Sequence, residues 1–89
     1  MGGKDSLARE FEQFLVTIKK MPSGERIAPF LYNRFLKLLQ RAEPFLDKDT
    51  GAWDAYDAAV NGREEVEQYI VMEQVLRSVL LGLGRSPPN

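Results

Sequence analysis

Apolar residues recur along most of the chain at helical rather than alternating spacing. Between Asp5 and Lys20, the residues Leu7, Phe11, Phe14, Ile18 and Met21 fall at intervals of 4, 3, 4 and 3. That spacing places them on one face of a helix, with Leu15 widening the stripe. Asp5 or Ser6 is placed to accept from the free N–H groups of the first turn. Lys19 and Lys20 suit the negative end of the helix dipole, and Pro22-Ser23-Gly24 stops the helix. A second helix is expected from about Ser23 to Glu43, starting instead at Ala28 if Pro29 occupies its first turn. Its seam of Leu31, Phe35, Leu38, Ala42 and Phe45 repeats the same spacing, flanked by Phe30 and Leu39. Pro44 disfavours helical geometry at Glu43 and ends or kinks the helix there.

Thr50 can cap a third, shorter helix through Trp53, Tyr56 and Val60. Its other face, Ala52, Ala55, Ala58 and Ala59, favours helix and permits close packing. Asn61-Gly62 reads as its stop. Asn61 with Glu64 then resembles a reciprocal cap for a fourth helix, from Arg63 to about Leu81. The seam of that helix is Tyr69, Met72, Leu76, Val79 and Leu83, and Ile70, Val71, Val75, Leu80 and Leu81 make it apolar nearly all round. Such a helix is either central in a core or covered by a partner. Gly82 and Gly84 end it.

These elements predict an all-α fold, a small antiparallel helical bundle of three long helices plus one short helix, alone or as a dimer. It forms a single domain over residues 6–84, between a flexible N-terminus (1–5) and a loose tail (85–89). If Asn61-Gly62 only bends one helix, the alternative is a three-helix arrangement whose long last helix pairs in a dimer.

Composition narrows the chemistry. The 89 residues include no Cys and no His, with 12 Lys plus Arg against 13 Asp plus Glu. There is thus no disulfide, thiolate site or zinc finger, and no imidazole base or metal ligand. A chain this short buries only about 60–65% of its unfolded surface, so oligomerisation or very regular helix packing must help it. The net charge of −1 gives no global attraction to nucleic acid, yet the charge is uneven. Residues 1–46 carry 8 basic and 5 acidic groups, whereas residues 47–76 carry 2 basic and 8 acidic groups. No stretch resembles a signal peptide or a membrane span. The most apolar segment, Tyr69 to Leu83, is interrupted by Glu73, Gln74 and Arg77, and a cytoplasmic protein is expected.

Candidate chemistry is sparse. Asp47-Lys48-Asp49-Thr50-Gly51 begins like a calcium loop, but its fifth, sixth and twelfth positions are Gly51, Ala52 and Ala58, which breaks the pattern. The carboxylate pairs Asp54/Asp57 and Glu64/Glu67 share helix faces, without a His to complete a di-metal motif. No catalytic residue, cofactor or metal site is assigned. Met1 to Ser6 matches the short N-myristoylation pattern at Gly2, although small residues at a chain start explain it equally and no polybasic cluster reinforces it.

Arg26, Arg34, Lys37 and Arg41 fall on one stripe of the second helix, with no acidic residue between Ile27 and Ala42. They form a candidate anion-binding or nucleic-acid-binding face, or simply a solvated one. The expected function is non-enzymatic. The protein acts as an adaptor, regulatory or assembly subunit through protein contact, most simply with a second copy of itself. The candidate interface is Val71, Val75, Leu80 and Leu81 on the last helix, with Trp53 and Tyr56 beside the acidic loop.

Overall fold

A computed structural model describes residues 3–85. Among them the chain forms four helices: α1 (Gly3–Lys19), α2 (Pro29–Ala42), α3 (Gly51–Val60) and α4 (Tyr69–Gly82). A short 3-10 turn at Glu43–Phe45 follows α2. The only β pairing among the described residues is an isolated bridge between Arg26 and Gln68. The fold is therefore all-helical. Gly2 with its acylation pattern, and residues 86–89 of the expected tail, lie outside the described residues.

α1 buries Leu7, Phe11, Phe14, Leu15 and Ile18, the stripe read from the spacing, together with Ala8. It begins before the expected cap. Asp5 and Ser6 lie inside the helix rather than in front of it, and Asp5 sits in the first turn, where the dipole favours a carboxylate.

α2 starts at Pro29, whose missing N–H costs nothing in a first turn. Residues 23–28 are an irregular segment, so Arg26 precedes α2 instead of belonging to it. Leu31, Phe35, Leu38, Leu39 and Ala42 are buried as the seam requires. Phe45 departs from it. Pro44 breaks the helical ladder, the chain tightens into the 3-10 turn, and the Phe45 ring is left 41% exposed while Leu46 turns inward.

α3 is capped by Thr50, whose hydroxyl oxygen accepts from the Trp53 N–H at 3.3 Å and whose O–H donates to the Asp47 carbonyl at 2.6 Å. Its alanines serve close packing. A Cβ built on Gly82 of α4 would lie 2.4 Å from the Ala52 Cβ and 2.9 Å from Leu46 Cδ2. Gly82 is therefore a contact point between α3 and α4 rather than a stop. The stop is Gly84, at φ +84°, where the Gly84 N–H donates to Leu81 O and the Arg85 N–H to Leu80 O, a Schellman arrangement.

The expected start of the fourth helix is overturned. Residues 63–68 are not helical, and the Asn61–Glu64 cap does not form. Asn61 instead closes α3, its N–H donating to Asp57 O, and Gly62 reverses the chain at φ +73°. The segment then runs beside residues 23–28. The Ile27 N–H donates to Glu67 O at 3.1 Å, the Ile70 N–H to Ser23 O at 3.0 Å, and Gln68 Nε2 to Gly24 O at 3.1 Å. Two irregular segments thereby satisfy each other's backbone groups, an inducement stronger than the helix propensity of Arg63 to Gln68. Repulsion between Glu64 and Glu67, one turn apart in a helix, acts in the same direction. The last helix is thus shorter than expected and separate from α3, not the long bent helix of the alternative reading.

Tyr69 links this crossing to α2, its Oη accepting from the Ala28 N–H at 3.1 Å in front of the first helical turn. From there α4 packs against α1, α2 and α3. The radius of gyration is 11.9 Å. That is the ~12 Å expected of a compact chain of this length. The helix with the most apolar surface packs mainly between α1 and α3 and touches α2 only marginally, leaving one stripe outward.

Candidate interaction surface

The packing of α4 decides the fate of its extra apolar residues. Val75 and Leu80, assigned to an interface on sequence, are 3% and 0% exposed within the single chain. They touch the protein's own core and are withdrawn from any surface. Val71 is half-buried against that core, and Leu81 alone of the four stands out, at 60% exposure. The outward stripe of α4 reads Ile70, Gln74, Arg77 and Leu81, with Arg77 Nε donating to Glu73 Oε2 at 3.0 Å. Its middle is polar, with apolar side chains only at its two ends. Next to Leu81, a hollow of about 350 Å³ is lined by Thr50, Gly51, Ala52, Ser78 and Gly82.

Trp53 and Tyr56 do lie together, their ring centroids 5.1 Å apart, with Tyr56 turned into the core and Trp53 at its edge. Tyr56 is buried, and its Oη donates to Glu43 Oε2 at 2.6 Å, which joins α3 to the turn after α2. Burial, with help from the neighbouring Glu43 carboxylate, pushes the phenol up to about 12. Trp53 is half-buried, with the Lys48 ammonium 5.4 Å from its ring centroid. The Asp47–Gly51 loop is a capping structure, in which Asp47 Oδ1 accepts from the Asp49 N–H at 3.1 Å. Among the described residues, no cluster of three His, Cys, Asp or Glu is arranged to hold a metal ion.

The cationic residues sit differently from the sequence expectation, because two of them are organised by α1. Arg41 donates two hydrogen bonds to the Glu10 carboxylate, at 2.8 and 2.6 Å. That guanidinium holds the Glu10 carboxyl below its usual range, and the carboxylate raises Arg41 in turn. Arg34 lies over the Phe14 ring, 5.3 Å from its centroid. Lys37 stands between them, exposed and without an ion pair among the described residues. Arg26 is set apart in the segment before α2. At the N-terminal end of the same α2 stripe is Phe30, the most exposed large apolar side chain of the described residues, at 72%. The pattern marked Phe30 only as a flank of the seam. Its outward position depends on which side α1 packs.

A second concavity, about 490 Å³, lies between the start of α2, the end of α3 and residues 64–67. Ile27, Pro29, Tyr32, Ala59 and Val66 form its apolar floor, with Arg26, Glu64, Glu65 and Glu67 at the rim. It exists because residues 63–68 are not helical, so no helical pattern pointed to it. Among the described residues, no helix is long and apolar enough to cross a membrane.

Comparison of the chain with protein-family models, with curated proteins and with solved structures gave no match.

Proposed function

We propose that this protein is a non-catalytic, cytoplasmic interaction module that works by docking another protein against its helical surface. The observation that carries this reading is Phe30, 72% exposed at the head of α2 in a molecule whose core closes without it. An aromatic side chain left out of a closed core and flanked by fixed cations has the make-up of an interface anchor. The sequence supports the non-catalytic part, since it supplies neither an imidazole nor a thiol.

The second reading is self-association through the last helix. It rests on Leu81 standing beside the hollow between α3 and α4, and it has lost the support of Val75 and Leu80. A nucleic-acid or anion role for Arg26, Arg34, Lys37 and Arg41 is weaker. Arg41 is already neutralised by Glu10, and Arg26 stands off the helix.

Photo-crosslinking in cells of the native source separates the readings. A photoreactive phenylalanine analogue at position 30 is expected to trap a distinct protein. The same analogue at position 81 yielding an adduct of twice the chain mass would favour the dimer. Absence of adducts at both positions would contradict a contact function.

A further inference from the structure

The outward face of α2 carries a more specific message about its partner. Phe30, Arg34, Lys37 and Arg41 follow one another at steps of 4, 3 and 4. At ~100° per residue they fall within an arc of about 60°, on a stripe about 16 Å long. All four side chains are exposed, and α2 from Pro29 to Ala42 holds no acidic residue. We propose that this stripe docks an acidic amphipathic helix of a partner protein, with an apolar side chain of that helix against Phe30 and its carboxylates facing Arg34 and Lys37.

Three features favour that occupant. First, the nearest cation is prepared. Arg34, one turn from Phe30, is laid over Phe14, so this long side chain loses less freedom on binding, while Arg41 at the far end is spent on Glu10. Second, Arg34 and Lys37 have no ion pair among the described residues, which leaves two positive charges a turn apart for carboxylates at the matching helical spacing. Third, Phe30 requires an apolar counterpart, which an acidic helix with one apolar edge supplies and a phosphate backbone does not.

A duplex presents about one negative charge per 1.7 Å, far more than two cations outside any ion pair can match. A second copy of this chain is a poorer occupant as well. Its exposed acids Glu64, Glu65 and Glu67 lie on an irregular segment rather than on a helix, and the Glu73 carboxylate beside Ile70 is already paired with Arg77.

This inference rests on the contact function proposed above and names the class of partner. The test is an amide-shift titration of the isotopically labelled full chain with a synthetic helical peptide of about 14 residues, Leu along one edge and Glu along both flanks. Saturable shifts confined to α2 around Phe30, Arg34 and Lys37 are expected. Binding should weaken about tenfold or more in Phe30→Ala and separately in the double variant Arg34→Glu/Lys37→Glu. These side chains are exposed, so thermal melts of the variants should stay close to the parent.

A peptide with Lys in place of Glu should not bind, and one with Ser in place of Leu should bind much more weakly. No shifts with the Glu/Leu peptide would overturn the proposal. So would a DNA duplex shifting the same amides more strongly, or shifts that arise from raising the chain's own concentration. If a cross-link forms at position 30 but the peptide fails, the acidic-helix partner is wrong and the contact function stands. If neither position 30 nor position 81 cross-links anything in cells, the contact function itself fails.

Discussion

Tyr56 shows how a single residue can be read wrongly from its type and rightly from its neighbours. Beside an acidic loop, an aromatic pair looks like an interface. In the fold, Tyr56 is buried and its hydroxyl ties α3 to Glu43. Removing that hydroxyl in Tyr56→Phe should cost about 1 kcal/mol, since the bond runs to a charged but solvent-exposed acceptor. The pH dependence follows from the raised phenol. The folded form holds the proton up to about 12, whereas an unfolded tyrosine releases it near 10. The hydroxyl's contribution is therefore fully present below about pH 10 and is lost as pH climbs towards 12. The gap between parent and variant should therefore close over that window and then reverse, since holding an ionised phenol in the core costs more than the hydroxyl contributes. A gap that widened in the parent's favour with pH would contradict the assignment.

Gly82 is the other residue whose role lies in its surroundings. With the Ala52 Cβ 2.4 Å from where its own would stand, Gly82→Ala must push α3 and α4 apart. The expected loss is about 1–3 kcal/mol despite the better helix propensity of alanine. Urea unfolding measures it, and an unchanged or higher midpoint would show that the helices do not approach so closely. By contrast, the Glu10–Arg41 pair, bidentate but exposed on both sides, should contribute at most ~1 kcal/mol and less in high salt.

Among the elements, the seams of α1, α2 and α4 were legible because their cause is local, a 3.6-residue period that any solvent-excluding neighbour satisfies. Leu7, Phe11, Phe14 and Ile18 needed no knowledge of what they would meet. The segment 63–68 was not legible. Its residues favour helix, and the non-helical course is imposed by Ser23, Gly24 and Ile27, some forty positions away in sequence. Phe45 was misplaced for a similar reason, as Pro44 does not end the seam smoothly but turns it.

The crossing of 23–28 with 63–69 makes its own prediction. Gly62 sits at φ +73°, so Gly62→Ala should cost roughly 1–2 kcal/mol. The effect should appear as faster amide exchange at Ile27 and Ile70 before any change in α1. Uniform loss of protection over the whole chain would mean that the crossing is not a separate unit.

For the whole molecule, the absence of Cys and His set a condition that the fold meets through connectivity. Without a disulfide or zinc site, α4 supplies the staple, burying Tyr69, Met72, Val75, Leu76, Val79 and Leu80 chiefly against α1 and α3. The sequence made its apolar excess plain but not where that excess goes, because a core helix and an interface helix carry the same letters. Packing α4 into the core moves the candidate contact surface to α2, where Phe30 and the cations were visible as separate signals but not as one face.

The central claim is that α4 is satisfied within one chain, so that folding needs no second copy and contact is made elsewhere. Thermal melts of the full chain over about 2 to about 200 µM, read beside the mass in sedimentation equilibrium, test it most directly. The account predicts a monomer whose Tm does not move with concentration. A dimer whose Tm rises with concentration, and which Val75→Asp returns to a folded monomer, would contradict it.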